Sequence, residues 1–316
     1  RSNSDALGEG THAIYAGDFN IRSSSEAMWQ ALTSAGAGQA FDPTNRSGSW
    51  HNNATYLDLH TQSAVNSSRF SGQVTGGMDD RFDFQLVTGE FLDNEGLSYI
   101  AGSYHTLGNN GTHFLNGELD VAQNTALPQS QLTALANSSD HLPVVADYQL
   151  PARMQVAVSD APGQVLVGSS PQVEVTVENS ANVVASIGAD ELDYASTLFG
   201  DVSGDFSGTT QALSGGNSHF VSLDTSTAGT KSGLVNVNSS SQAVADGSFF
   251  EGVNYEVLDH ANPSFDALTD TDSLLFDFGI IAAGSGLFSE SFAITNLDSN
   301  AGFTAALDLD AILGSG

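Results

Sequence analysis

Cysteine is absent from the 316 residues, which excludes a disulfide framework, a thiolate metal site and a cysteine nucleophile. Basic side chains are scarce: seven Lys plus Arg stand against 37 Asp plus Glu, a formal charge of -30. Residues 1–150 hold 5 basic and 16 acidic groups and residues 151–316 hold 2 and 21, so the excess is general and not an acidic tail. Such a chain lacks the basic footprint of a nucleic-acid binder and is not drawn passively to an anionic membrane. No apolar run approaches the roughly 18 to 20 residues that a membrane helix needs. The chain starts at Arg1 without the charged and apolar stretches of a signal peptide.

What is present has two textures. Up to Leu150, helix-like and strand-like stretches alternate; beyond Pro151, Gly, Ser, Asn and Asp punctuate short alternating runs such as Val173, Val175 and Val177 between Glu174, Thr176 and Glu178. Strict alternation marks half-buried strands, and strands with turn signals between them predict β-sandwich modules. In the first part, Ser23-x-x-Glu26 predicts a capping box for a helix that buries Met28, Ala31, Leu32 and Ala35 and stops at Gly36. Asp42 to Tyr56 reads as a loop whose Trp50 could stack on a base or sugar, and Arg69 is a candidate phosphate-binding cation. His105 and His113 lack a third ligand at zinc-like spacing.

Chemistry-bearing residues fall in three tracts. Ser139-Asp140-His141-Leu142 places an acid and an imidazole at the entrance of a strand. Asp18 and Asn20, two apart at the end of an apolar run, are predicted to share one face. Asp83, set between Phe82 and Phe84, needs a partner once desolvated, and His141 is the expected one.

These tracts, in the order Gly17-Asp18-Phe19-Asn20, Arg81-Phe82-Asp83-Phe84 and Ser139-Asp140-His141-Leu142-Pro143, resemble the second half of the endonuclease/exonuclease/phosphatase superfamily over roughly residues 8 to 149. Secreted bacterial members are the most similar, through the stretch Tyr104 to Gly111. The resemblance implies an α+β four-layer sandwich of the DNase I-like type, N-terminally truncated, over 1–150. It implies an extracellular, metal-dependent phosphoesterase acting on nucleic acid or another phosphoester. Asp18, Asn20, Asp83 and His141 would then be catalytic and Asp140 a ligand of Mg2+, with Mn2+ or Ca2+ as substitutes. It further implies that the principal metal-binding glutamate lies in a missing N-terminal half, so that this segment holds half a site.

Residues 151–258 resemble bacterial immunoglobulin-like sandwiches, and 259–316 the start of a second such module. Two alternatives accompany the nuclease reading. One is a small-phosphoester hydrolase, sphingomyelinase-like or a phosphatase; the other is a non-catalytic adhesive or spacer protein that works through its β-sandwich modules.

Overall fold

The computed structural model describes residues 1–297, 300, 302–308, 310, 311 and 313. The chain opens with helix α1 (Ser2–Leu7), strand β1 (Ile14–Asp18) and helix α2 (Ala27–Thr33). Strands β2 (Asp83–Val87), β3 (Ser98–Tyr99) and β4 (His105–Thr106), helix α3 (Gln129–Ser138), and strands β5 (Val144–Val145) and β6 (Tyr148–Gln149) follow. β1 pairs antiparallel with β2, β3 with β6 and β4 with β5, each as a two-stranded sheet.

This corrects the expected four-layer sandwich. That architecture needs two broad sheets whose inner faces bury against one another, and among the described residues 1–150 form only pairs. Asn- and Gly-rich stretches between the pairs turn the chain before strands can extend: Asn45, Asn52, Asn94 and Asn116 all take left-handed conformations. Apolar side chains collect instead in three small cores, around Trp29, Trp50 and Phe84, around Met78, Leu132 and Leu142, and around Leu59, Phe91 and Tyr99. α2 also differs from expectation. The Glu26 carboxylate does fold back, accepting from the Arg22 and Ser23 amides at 2.6 and 3.1 Å, but the helix begins only at Ala27, which turns Trp29 inward and leaves Met28 exposed.

Strands β7 (Met154–Val158), β8 (Gln164–Leu166), β9 (Gln172–Asn179), β10 (Leu192–Gly200), β11 (Val202–Ser203), β12 (Ser207–Thr210), β13 (Asn217–Leu223), β14 (Gly229–Ser239) and β15 (Ser248–Leu258) make two sheets. The order is β12-β10-β14-β15-β8 in one and β11-β13-β9-β7 in the other. Here the all-β reading holds. The alternation seen in the sequence puts Val173, Val175 and Val177 inside with Val221, Val235, Val237 and Val257, and each such side chain contributes about 1.5 to 3 kcal/mol by leaving water. The hydroxyl of buried Tyr255 donates to the Asp201 and Asp224 carbonyls at 2.7 and 2.9 Å, so the ring is buried without stranding its polar end. The same burial pushes that hydroxyl up to about 12.

After Leu258 the described chain holds one further pair, β16 (Pro263–Ser264) with β17 (Thr295–Asn296). No strand forms over 276–281, and Leu275, Ile280 and Leu287 are largely exposed. Two short strands without a partner sheet do not sustain a layer. The module expected over 259–316 also includes positions 298, 299, 301, 309, 312 and 314–316, which lie outside the described residues.

Candidate functional site

The β1–β2 register sets Asp18 opposite Asp83. β1 ends there, because Phe19 donates its amide to the Phe82 carbonyl at 2.8 Å and Asn20 turns left-handed at φ 47. The Asn20 amide donates to Asp18 Oδ1 at 2.8 Å, so the two make a turn at an exposed strand end and do not share one face of a continuing strand as their spacing suggests.

Asp83 is held at its own backbone by Thr61, whose hydroxyl oxygen accepts from the Phe82 and Asp83 amides at 3.0 and 3.2 Å. His141 arrives from the end of α3, with its amide donating to Ser139 Oγ at 3.0 Å and buried Leu142 anchoring the next position through the Thr61 carbonyl at 2.9 Å. The expected pairing is present: His141 Nδ1 lies 2.7 Å from Asp83 Oδ2. The Asp83 bond raises the His141 pKa, partial burial opposes it, and the charges of Asp83, Asp18 and Asp140 add to the rise. Gln62 Nε2 stands 2.6 Å from His141 Nε2. With the amide's NH2 toward the ring, imidazole is neutral and its Nδ1–H donates to Asp83; a protonated ring needs the amide turned to present its oxygen. Asp83→Asn should therefore lower the His141 pKa, read by NMR as a move of its ring-proton titration midpoint to lower pH. An unmoved midpoint would mean the carboxylate does not govern this imidazole.

The other candidates separate. Asp140 Oδ2 accepts from the Val74 amide at 3.3 Å and Gln62 Nε2 at 3.4 Å, and among the described residues it joins no trio of metal-ligating side chains. The donor set around it in this chain does not fit a Mg2+ site, which wants several oxygen ligands. Trp50 is fully buried, packs on Trp29 and Phe84, and donates Nε1–H to the Arg46 carbonyl at 3.0 Å, so it is a core ring and not a stacking platform at a rim. Arg69, the candidate phosphate-binding cation, is held by Asp120, at 2.7 and 2.8 Å, and by Glu118 at 3.3 Å. His113 is buried with both ring nitrogens facing carbonyls, while His105 is exposed.

Two features went unseen in the sequence. Gln62, which touches both Asp140 and His141, carries no motif. His51, Asp79 and Asp80 come together from positions far apart in the chain; the doubled acid before Arg81 was a visible signal, but its histidine was not. A cleft of about 600 Å3 lies against Trp29, Gln30, Asp42 and Asn45, and none of Asp18, Asn20, Asp83, Asp140 or His141 lines it.

No protein-family model matches the chain, and no curated protein does. Among solved structures it is similar to the CARDB domain of a Pyrococcus furiosus protein determined by solution NMR, with 15% identity over 33% of this chain and 93% of that one and a TM-score of 0.26. A crystal structure of the same domain in complex with di-metal ions shows 11% identity, 34% and 89% coverage and a TM-score of 0.26. A likeness that slight does not by itself establish a fold, which rests here on strand order and register. With no family match, and with a chain built of strand pairs and a β-sandwich, the expected membership in the endonuclease/exonuclease/phosphatase superfamily is incorrect, and the hydrolase and nuclease readings fall with it.

Proposed function

We propose that the chain is a non-catalytic spacer or adhesive module of the cell exterior, with the sandwich of residues 151–258 as its working unit. One observation carries the reading: the polypeptide enters and leaves the sandwich at opposite ends. On entering, the Ala245 amide donates to the Ala152 carbonyl and the Met154 amide to the Ala245 carbonyl, both at 3.0 Å, beside the connection from β14 to β15. On leaving, β15 has run its whole length to Leu258, whose carbonyl accepts from Val167 at 2.9 Å. At about 3.3 Å per residue β15 spans roughly 35 Å. Modules connected in this way add length in series, and net charge of one sign keeps neighbouring copies apart.

The strand geometry also suits tension. β8 runs parallel to β15, with Gln164 opposite Glu256 and Leu166 opposite Leu258. Pulling the chain ends apart draws these two strands in opposite directions, so their hydrogen bonds share the force in shear rather than opening one at a time.

Single-molecule extension of the full chain between its ends should include one cooperative step that belongs to the sandwich. Its contour gain should be about 340 Å, from residues 152–258 at about 3.5 Å each less the folded span. Val165→Pro, which removes an amide from β8, should lower the force of that step. Extension without a discrete step would overturn the spacer reading, as would cation-dependent turnover of a phosphodiester by the chain.

A further inference from the structure

We propose that His51, Asp79 and Asp80 form a binding site for one divalent transition-metal ion, which ties the loop around His51 to the segment leading into β2. His51 Nδ1 lies 2.7 Å from Asp80 Oδ1 and 3.9 Å from Asp79 Oδ2, and one ligand atom from each of the three falls within 4.8 Å of the others. Atoms bonded to a common ion at about 2.1 Å sit roughly 3 to 4 Å apart, so small side-chain rotations bring the trio into register.

The backbone beneath these side chains is already fixed. Asp79 and Asp80 donate their amides to the Gln62 carbonyl at 3.0 and 3.1 Å, and the Asp80 carbonyl accepts from Thr61 and Gln62 at 2.7 and 3.1 Å. Fully buried Met78 and Arg81 clamp the acidic pair on either side. His51 follows fully buried Trp50, and the next residue, Asn52, turns left-handed and donates its amide to the Asp79 carbonyl at 2.8 Å. Gly77 has φ 85 and runs so close to the Asn116 carbonyl that no side chain fits there, which holds the acidic pair's approach. The three ligands are thus presented by main chain that needs no ordering when a metal binds, and an ion that needs a supported ligand set gains from that.

The electrostatics point the same way. Among the described residues neither Asp79 nor Asp80 forms an ion pair with Lys or Arg; His51 is the partner of both. A buried carboxylate, Asp80, and a half-buried one, Asp79, face one imidazole, with Arg22 acting on Asp79 only through space, and this leaves negative charge for a cation to neutralise. One nitrogen and two carboxylate ligands, with open positions for water, suit Zn2+ or Mn2+ better than Mg2+ or Ca2+, which prefer all-oxygen shells. The site is separate from Asp140, which belongs to no such trio.

Titration calorimetry of the full chain with Zn2+ and with Mn2+ should give one site per chain, tighter for Zn2+, with Mg2+ and Ca2+ weaker than both. His51→Ala and Asp79→Asn should each weaken binding at least about tenfold, while Asp140→Asn should leave it unchanged. In the Mn2+ complex, electron spin-echo modulation from a directly bound nitrogen should be present in the parent and lost in His51→Ala. Asp79→Asn changes no shape, so its thermal melt without metal should match the parent and exclude misfolding as the cause. Unchanged affinity in both ligand variants, loss of binding in Asp140→Asn, or absence of nitrogen modulation would each overturn the assignment.

Discussion

Arg81→Ala should destabilise the first region by about 3 to 5 kcal/mol, the range for stripping one partner from a buried ion pair. Arg81 is fully buried and grips Asp42 with two parallel bonds, Nη1 to Oδ2 at 2.7 Å and Nη2 to Oδ1 at 2.9 Å. Nη2 also donates to the Tyr104 hydroxyl at 3.1 Å. The guanidinium lies over Phe84 at 4.3 Å, with Tyr104 at 5.4 Å and Trp50 at 5.6 Å, so three ring faces stand where water would be. Burial alone pushes the Asp42 carboxyl up, yet the Arg81 bonds and charge overrule it and hold that carboxyl below its ordinary range. Removal of the arginine reverses the balance and leaves a desolvated carboxylate. Arg81→Lys should recover little, because an ammonium cannot bridge both oxygens or lie flat on the rings. A double replacement, Arg81→Met with Asp42→Leu, should cost less than the two single changes added together. Urea unfolding followed by tryptophan emission reads the effect directly, since Trp50 lies against the guanidinium and Trp29 packs on Trp50; a loss below about 1 kcal/mol for Arg81→Ala would show the pair to be energetically idle.

The same arginine explains why Trp50 was misread from sequence. An aromatic in an Asn-rich loop reads as a rim residue, but a buried guanidinium needs ring faces, and that demand comes from a position 31 residues later. Legibility followed locality. Val173, Val175 and Val177 announced a strand because alternation is written in five consecutive residues, and the structure buries all three. The Asp83 to His141 bond was legible for a different reason: an acid between two phenylalanines needs a partner. Asn20 failed because alternation was carried past Asp18, where the strand stops. The trio of His51, Asp79 and Asp80 was not legible, since it depends on the Asn52 amide meeting the Asp79 carbonyl across a turn. The resemblance to a hydrolase rested on short tracts, and short tracts specify local turns and pairs without specifying how many strands lie beside them.

Between about pH 7 and pH 4 the chain should lose about 3 kcal/mol of stability through His60 alone. His60 is fully buried, with Nε2 3.1 Å from the Trp50 carbonyl and the His113 ring 6.0 Å away centre to centre. Burial lowers its pKa to about 4, with the nearby His113 pressing the same way and the Trp50 carbonyl resisting. In the unfolded chain the ring titrates near 6.5. In the interval between those values the unfolded state binds a proton that the folded state refuses, so stability is complete above about 6.5, falls as pH falls through the interval, and levels off near 4. A depression of about 2.5 pH units at about 1.4 kcal/mol per unit gives the total. Other groups overlap only in part. His141, whose pKa is raised, loses its contribution as pH rises above the interval, and Asp42 and Asp120, whose pKa values are lowered, act below it. His219 is lowered by burial and shares the interval, while Asp79 and Asp190 are raised by burial and oppose it. The informative quantity is therefore the difference between the parent and His60→Gln, whose amide still donates toward the Trp50 carbonyl but does not titrate. Urea denaturation at four pH values across the interval should show the two stability curves converging by about 3 kcal/mol on acidification; parallel curves would mean that the folded state accommodates a charged ring at position 60.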